Sequence, residues 1–331
     1  MPGVGLLRDN LVFAEEMSRI IDLSKDIRLV SKITSSFLNE RQVSVVPILG
    51  RGTVNKVFIV ESVKAKFIVR MRKDDAALDE YKKEAWCIEK AAAQGIPVSD
   101  VLVVGMFENH AFMIQAYIAG DEARNSQLSP SYIWKQLGRY AKLIHSIEVA
   151  GFGLKMSDLT EGDSQKLWLK YLDYNIESLN ERDELIKLNV VTESQSKIIR
   201  TIFENLKERT FNFGLNHGDI MLRNVIVDRG GKVNLLDWGS AEASIVPHHD
   251  IIQMLKENML ENAPNEKEIR AFLDGYGISR IEFEQILPEL ESLLLLRAFD
   301  KLRWAIDWNA EELGGFVSHA KDVVERCLAR N

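Results

Sequence analysis

Apolar and polar positions alternate at two distinct periods along this chain, and the change of period divides it. From about residue 10 to about residue 40 the spacing is helical and predicts one or two amphipathic helices. The period then shortens. Residues 43–49 and 56–60 are rich in β-branched side chains and flank a turn built on Gly50 and Gly52, so they read as strands, with a third at 66–71. Residues 78–94 return to helical spacing, carrying Tyr81, Ala85, Ile88 and Ala92 on one side and stopping at Gly95. Residues 101–105 and 112–117 supply two more strands. These elements make a small β-rich lobe with one helix.

After Gly120 the pattern is mainly helical, most strongly over 132–147. One β interruption breaks it: residues 224–228 and 232–237, joined by Arg229-Gly230-Gly231, read as a hairpin. From Asp250 to the end helices are expected again. Asp250 with Gln253 three residues on fits a capping box, and Pro264-Asn265 marks another helix start. The run Leu293-Leu294-Leu295-Leu296 is closed by Arg297 and is too short to cross a bilayer.

Composition adds class and compartment. The 331 residues are 46% hydrophobic and carry 42 Lys+Arg against 49 Asp+Glu, a net charge of −7, which is a globular balance with apolar material for two cores. It excludes a disordered chain and a disulfide scaffold. No basic face is visible, which excludes a general nucleic-acid binder, and no membrane segment is expected. The only cysteines, Cys87 and Cys327, have no metal-ligand spacing and are expected as buried thiols of a cytoplasmic protein. The N-terminus reaches a charge before any long apolar stretch, so no secretory signal is expected. The acid is uneven: residues 241–331 hold 17 Asp+Glu against 10 Lys+Arg, and 158–184 hold eight against three. That tilt is either a set of solvated helices or an acidic pocket.

Candidate chemistry is concentrated in Leu215-Asn216-His217-Gly218-Asp219-Ile220-Met221-Leu222-Arg223-Asn224, followed after the hairpin by Asp237-Trp238-Gly239. Phosphoryl transfer needs one carboxylate to orient a hydroxyl and take its proton, and two further oxygen ligands to hold Mg²⁺ on the nucleotide phosphates. Asp219, Asn224 and Asp237 supply that set. The order His-x-Asp-x4-Asn, then Asp-x-Gly, is the catalytic grammar of the kinase fold.

With His-Gly-Asp in the catalytic loop, the chain resembles the aminoglycoside phosphotransferase and choline kinase family. Thr53-Val54-Asn55-Lys56-Val57-Phe58 resembles that family's short phosphate loop, and Leu143-Ile144-His145 followed by Gly151-Phe152-Gly153 resembles its marker before the substrate insert. The resemblance covers most of residues 43–255. It implies an α+β, two-lobed, protein-kinase-like fold: a helical segment at 1–42, a nucleotide-binding lobe at 43–118, and a catalytic and acceptor-binding lobe at 119–331.

Residue by residue, the resemblance makes Asp219 the base and Asn224 and Asp237 the Mg²⁺ ligands. ATP, or GTP, would be covered by Gly52, Thr53, Val54 and Asn55. Arg70 would grip its phosphates where protein kinases carry lysine, with Arg72 the alternative on the same strand face. Glu84 lies on the apolar side of its helix, where an acid needs a cation, and is expected to pair with Arg70, while Glu80 stands one turn earlier. Adenine would lie against backbone groups of Gln115, Ala116 and Tyr117. His217 is expected to support the loop without acting as base, a metal reading of His248-His249-Asp250 is set aside, and the resemblance implies an Asp hereabouts that ties the helix to the catalytic loop. Asp300, Trp304, Asp307, Trp308 and Glu311 form a stripe read first as core, and otherwise as a face for a cationic sugar.

The expected activity is O-phosphorylation of a cationic small molecule of the aminoglycoside type, by a monomer or weak dimer. A choline-, homoserine- or sugar-type kinase is the alternative. A protein kinase is disfavoured by Gly218 and by the absence of an Ala-Pro-Glu segment after Asp237, and a non-catalytic nucleotide-binding regulator by the complete triad.

Overall fold

The computed structural model describes residues 22–38, 42–48, 55–74, 76–308, 310 and 313–329. It separates into two compact units, residues 1–89 with 99–119 and residues 90–98 with 120–331. The element classes are those of an α+β chain, with its main β-sheet early and its helices late.

In the first unit β1 (Gln42–Ile48), β2 (Lys56–Ser62), β3 (Lys66–Arg72), β4 (Val101–Phe107) and β5 (His110–Ala116) form an antiparallel sheet in the order β1-β2-β3-β5-β4. Helix α1 (22–37) covers one face, packing Leu29, Val30 and Ile33 on Phe58, Val60, Phe67, Val69 and Met71. The period of two along β3 turns Arg70 and Arg72 to the other face, where α2 (Ala76–Ala93) lies with Ala77 and Tyr81 on Ala111 and Met113. All five expected strands and both helical regions are present. Residues 10–21 and the turn at 49–54 lie outside the described residues.

The second unit opens with β6 (Gly120–Glu122) and α3 (Pro130–His145), capped by the Ser129 hydroxyl. Helices α4 (Met156–Thr160), α5 (Ser164–Ser178), α6 (Glu184–Lys187) and α7 (Glu193–Lys207) follow. Then come β7 (Asn212–Asn216), the hairpin β8 (Val225–Asp228) and β9 (Val233–Leu235), and β10 (Glu242–Val246). The hairpin falls where the turn residues place it, and β6 adds to its edge. Four helices close the unit: α8 (His248–Glu261), α9 (Glu266–Tyr276), α10 (Arg280–Asp307) and α11 (Leu313–Leu328). Asn265 caps α9 as the sequence indicates. Helices α3 and α9 touch backbone to backbone: a Cβ on Gly138 would sit 2.0 Å from the Phe272 carbonyl oxygen, and one on Gly275 2.0 Å from that of Lys135.

Three interactions fix α5, the start of α6 and the segment Gly151-Phe152-Gly153. Arg303 of α10 is buried and donates to Asn175 Oδ1 at 3.0 Å and Asp183 Oδ2 at 2.7 Å, so each end of that ion pair keeps a partner away from water. Gly153 bridges Ala243 of β10 through two backbone hydrogen bonds of 2.9 and 3.0 Å. Both cysteines are buried thiols, and burial pushes Cys87 up to about 12 and Cys327 to about 11. Among the described residues no helix is long and apolar enough to cross a membrane.

Candidate functional site

The carboxylate of Asp219 is held by sequence neighbours. β7 ends at Asn216, the chain turns through His217-Gly218-Asp219, and a 3₁₀ turn at Leu222–Asn224 leads into β8. That short turn brings Asn224 back toward Asp219, so its side-chain amide donates to the Asp219 carbonyl at 2.9 Å and to Oδ2 at 2.7 Å. Arg223 donates to the other carboxylate oxygen, Oδ1, at 2.6 Å. Both oxygens of Asp219 are therefore oriented, and its side chain remains 26% exposed, enough for a hydroxyl to reach it.

Asp237 arrives from the opposite strand. β7 and β10 pair with Asn216 opposite Glu242, so the loops leaving them emerge at one end. The Leu236 N–H donates to the Asn224 carbonyl at 2.8 Å, which seats Asp237 beside the 3₁₀ turn. Asp237 itself adopts a left-handed conformation, φ 59°, and is exposed. With the Asn224 amide nitrogen engaged, its carbonyl oxygen points away as an acceptor. This carbonyl and a carboxylate are hard oxygen donors of the kind Mg²⁺ takes, and too few to enclose it without phosphate oxygens. Among the described residues no group of three or more His, Cys, Asp and Glu is placed to hold a metal.

His217 is fully buried and edge-on to the Trp238 indole. Its Nε2–H donates to the Leu236 carbonyl at 3.1 Å while Nδ1 accepts the Asp219 N–H at 3.3 Å, which is the pattern of a neutral ring. Burial lowers its pKa, and the nearby carboxylates of Asp250, Asp219 and Asp237 only partly oppose that. The ring is thus a brace between the two loops.

Asp250 corrects the sequence reading. Helix α8 begins at His248 with Pro247 at its N-cap and no side-chain cap, so the expected Asp250 capping box does not form. The carboxylate instead crosses to the loop after β7, accepting the His217 N–H at 3.2 Å and the Gly218 N–H at 2.7 Å, and also accepts His145 Nε2–H at 2.9 Å. Complete burial alone would raise its pKa, but the hydrogen bond from His145, with the neighbouring imidazoles, outweighs that and holds it at about 2. Gly218 can follow this path because it is glycine: its φ is +78°, and a Cβ would lie 2.3 Å from the Ser240 carbonyl oxygen. An arginine there, as in protein kinases, has no room.

On the first unit's α2-facing surface, Arg70 forms an ion pair with Glu84, whose side chain is 3% exposed. Arg72 pairs instead with Glu80 at 2.9 Å and Asp74 at 3.1 Å. One residue that sequence reasoning passed over joins this group. The Tyr81 hydroxyl donates to Asn55 Oδ1 at 2.9 Å, and its ring lies under the Arg70 guanidinium at 5.7 Å. Burial raises the Tyr81 phenol to about 12, so it stays a donor. Its position, one turn before Glu84, was the available signal. Gly52, Thr53 and Val54 lie outside the described residues. Gln115 is buried on β5, and the N–H groups of Ala116 and Tyr117 donate to the carbonyls of Asp100 at 2.9 Å and Lys66 at 3.2 Å.

The α10 stripe is not core. Trp304 is 48% exposed and Trp308 74%, which overturns that part of the sequence reading. Trp304 packs edge-on against Phe316, and Asp307 is also exposed, while Asp300 is part-buried and burial raises its pKa. Glu311 lies outside the described residues.

Comparison with known proteins was made against this geometry. Residues 45–292 match the model of the phosphotransferase enzyme family. No curated protein matches the sequence. Among solved structures, a thermostable mutant of aminoglycoside phosphotransferase APH(4)-Ia in ternary complex with AMP-PNP and hygromycin B superposes with a TM-score of 0.66, 14% identity, and coverage of 89% of this chain and 97% of that one. The GDP and kanamycin complex of APH(2")-IIia gives a TM-score of 0.63 at 14% identity, covering 92% and 99%. A structure assigned as a fructosamine-3-kinase from Haemophilus somnus 129PT gives 0.61 at 11% identity, covering 91% and 97%. At these identities the likeness establishes a shared kinase-like fold.

Proposed function

The chain belongs to the phosphotransferase enzyme family and is a small-molecule kinase, and from that premise we propose that it moves the γ-phosphoryl group of ATP, or GTP, to a hydroxyl of an amine-bearing small molecule. The observation that carries the reading is the Asp219 carboxylate, oriented at both oxygens and left accessible. In this account Asp219 accepts the acceptor hydroxyl's proton as that oxygen bonds to phosphorus. The bond from phosphorus to the β-phosphate oxygen breaks, and its electron pair leaves on the nucleoside diphosphate. Arg70, pre-oriented by Glu84, takes two phosphate oxygens through its fork, and Asn55 lies over them. Asn224 and Asp237 hold Mg²⁺, which when bound neutralises the charge developing on the phosphates. Gln115 and Tyr117 flank the base.

An acceptor with amine groups is favoured by the end of α10, where the Trp308 indole and Asp307 are exposed, whereas the Trp304 ring already meets Lys301 Nζ at 5.5 Å. The acid excess of residues 241–331 points the same way. Two of the similar solved structures are complexes with hygromycin B and kanamycin, whose amines have the same chemistry. Two buried thiols and a nucleoside triphosphate donor suit the cytoplasm. A screen of nucleoside diphosphate release with aminoglycosides, choline, homoserine and neutral sugars tests the acceptor class. Turnover is expected with amine-bearing acceptors. Turnover confined to neutral sugars would contradict the class while leaving the phosphotransfer intact.

A further inference from the structure

In the steps above Arg223 serves only to orient Asp219, the base it touches. One of its terminal nitrogens donates to Asp219 Oδ1 at 2.6 Å and the other to Glu257 Oε2 at 3.2 Å. Glu257 is largely buried and also meets Lys256 at 3.2 Å, so the charges alternate as Lys256, Glu257, Arg223, Asp219. Glu257 lies on α8 seven residues after Asp250, two helical turns along one face. A single helix therefore anchors both ends of the catalytic loop: Asp250 takes the His217 and Gly218 amides, and Glu257 takes the side chain of Arg223. The Arg223 side chain is nevertheless 42% exposed, and two carboxylates engage two of the guanidinium's five N–H donors.

Resting on the phosphotransfer reading, we propose that Arg223 is a further catalytic residue, donating to an oxygen of the transferring phosphoryl group while Asp219 takes the acceptor's proton. The carboxylate that takes the proton must lie one hydrogen bond from the acceptor oxygen, and that oxygen is the one phosphorus joins. A planar cation already hydrogen-bonded to this carboxylate is within its own width of the equatorial phosphoryl oxygens. Glu257 and Asp219 hold it there before the reaction, so no reorganisation is needed when charge spreads over those oxygens. Arg223 itself neither gains nor loses a proton.

The test uses the full chain with Mg²⁺, ADP and aluminium fluoride, a planar mimic of the phosphoryl group in transfer. Wild type is expected to bind ADP, and to bind it more tightly with aluminium fluoride. Arg223→Met is expected to bind ADP alone as wild type does but to lose about 10²-fold of that tightening, with Arg223→Lys restoring part of it. Full tightening in Arg223→Met would overturn the proposal and leave the phosphotransfer reading standing. A wild type that binds no ADP would overturn that reading itself. Glu257→Gln removes the charge but leaves an amide oxygen that still accepts from Arg223, so the guanidinium stays in place and the tightening is expected to be retained. A loss as large as that of Arg223→Met, at an unchanged melting temperature, would assign the effect to the ion pair and overturn the proposal.

Discussion

Asp219→Asn is expected to lower turnover by about 10³-fold while leaving nucleotide affinity within a few-fold of wild type. Asparagine preserves the shape of the side chain and can keep one of the two hydrogen bonds now received from Asn224 and Arg223. What it removes is the negative charge and the capacity to take a proton in the transition state. The nucleotide contacts assigned to Arg70, Glu84 and Asn55 lie on other elements and are untouched. Titration with a non-hydrolysable ATP analogue and a diphosphate-release assay separate the two effects. Retained turnover would remove Asp219 from the role of base.

The second large effect is on the framework. Asp250→Ala deletes the common acceptor of two loop N–H groups and of His145, leaving three buried donors without it. Removing one partner from such a buried set costs about 3–5 kcal/mol, a fall in melting temperature of roughly 10 °C. Turnover falls with it, because Gly218 and Asp219 lose the restraint that sets the loop. Asp250→Asn is expected to do less harm, since an amide keeps an acceptor for one loop N–H. The linkage has a definite sign. The folded carboxyl sits at about 2, below the ordinary aspartate value of 3.8, so this contribution is complete above the unfolded pKa. It is lost as pH falls from about 4 toward 2. Thermal melts of wild type and Asp250→Ala against pH are therefore expected to converge in that interval.

How far such a site can be read from sequence depends on how local its causes are. The strands of the first unit are legible because alternation at period two is set by neighbours, and the same alternation puts Arg70 and Arg72 on one face. Glu84 is legible for a related reason, since an acid on the apolar side of a helix has to find a cation. The hairpin around Arg229-Gly230-Gly231 and the cap at Asn265 are likewise short-range.

The features missed are the non-local ones. β7 is the run Asn-Phe-Gly-Leu-Asn, poor in strand formers, and it is a strand because β10, 26 residues later by the Asn216–Glu242 pairing, supplies its partner. Asp250 has the spacing of a helix cap, and it is the family resemblance, not the spacing, that points its carboxylate to a loop 33 residues earlier. Glu257 reads as an ordinary helix acid until Arg223 is found against it. The two tryptophans of α10 fail in the opposite direction: indoles at helical spacing read as core, but the face they occupy is left open.

The central claim, transfer of a phosphoryl group to a small hydroxylated acceptor, is tested most directly by following the label from γ-labelled ATP in the presence of Mg²⁺ and the amine-bearing acceptors. The account predicts label appearing in the small molecule as an O-phosphate ester, dependent on Asp219. Label transferred to protein hydroxyls instead, or no transfer to any acceptor by a folded chain that binds ATP, would contradict it.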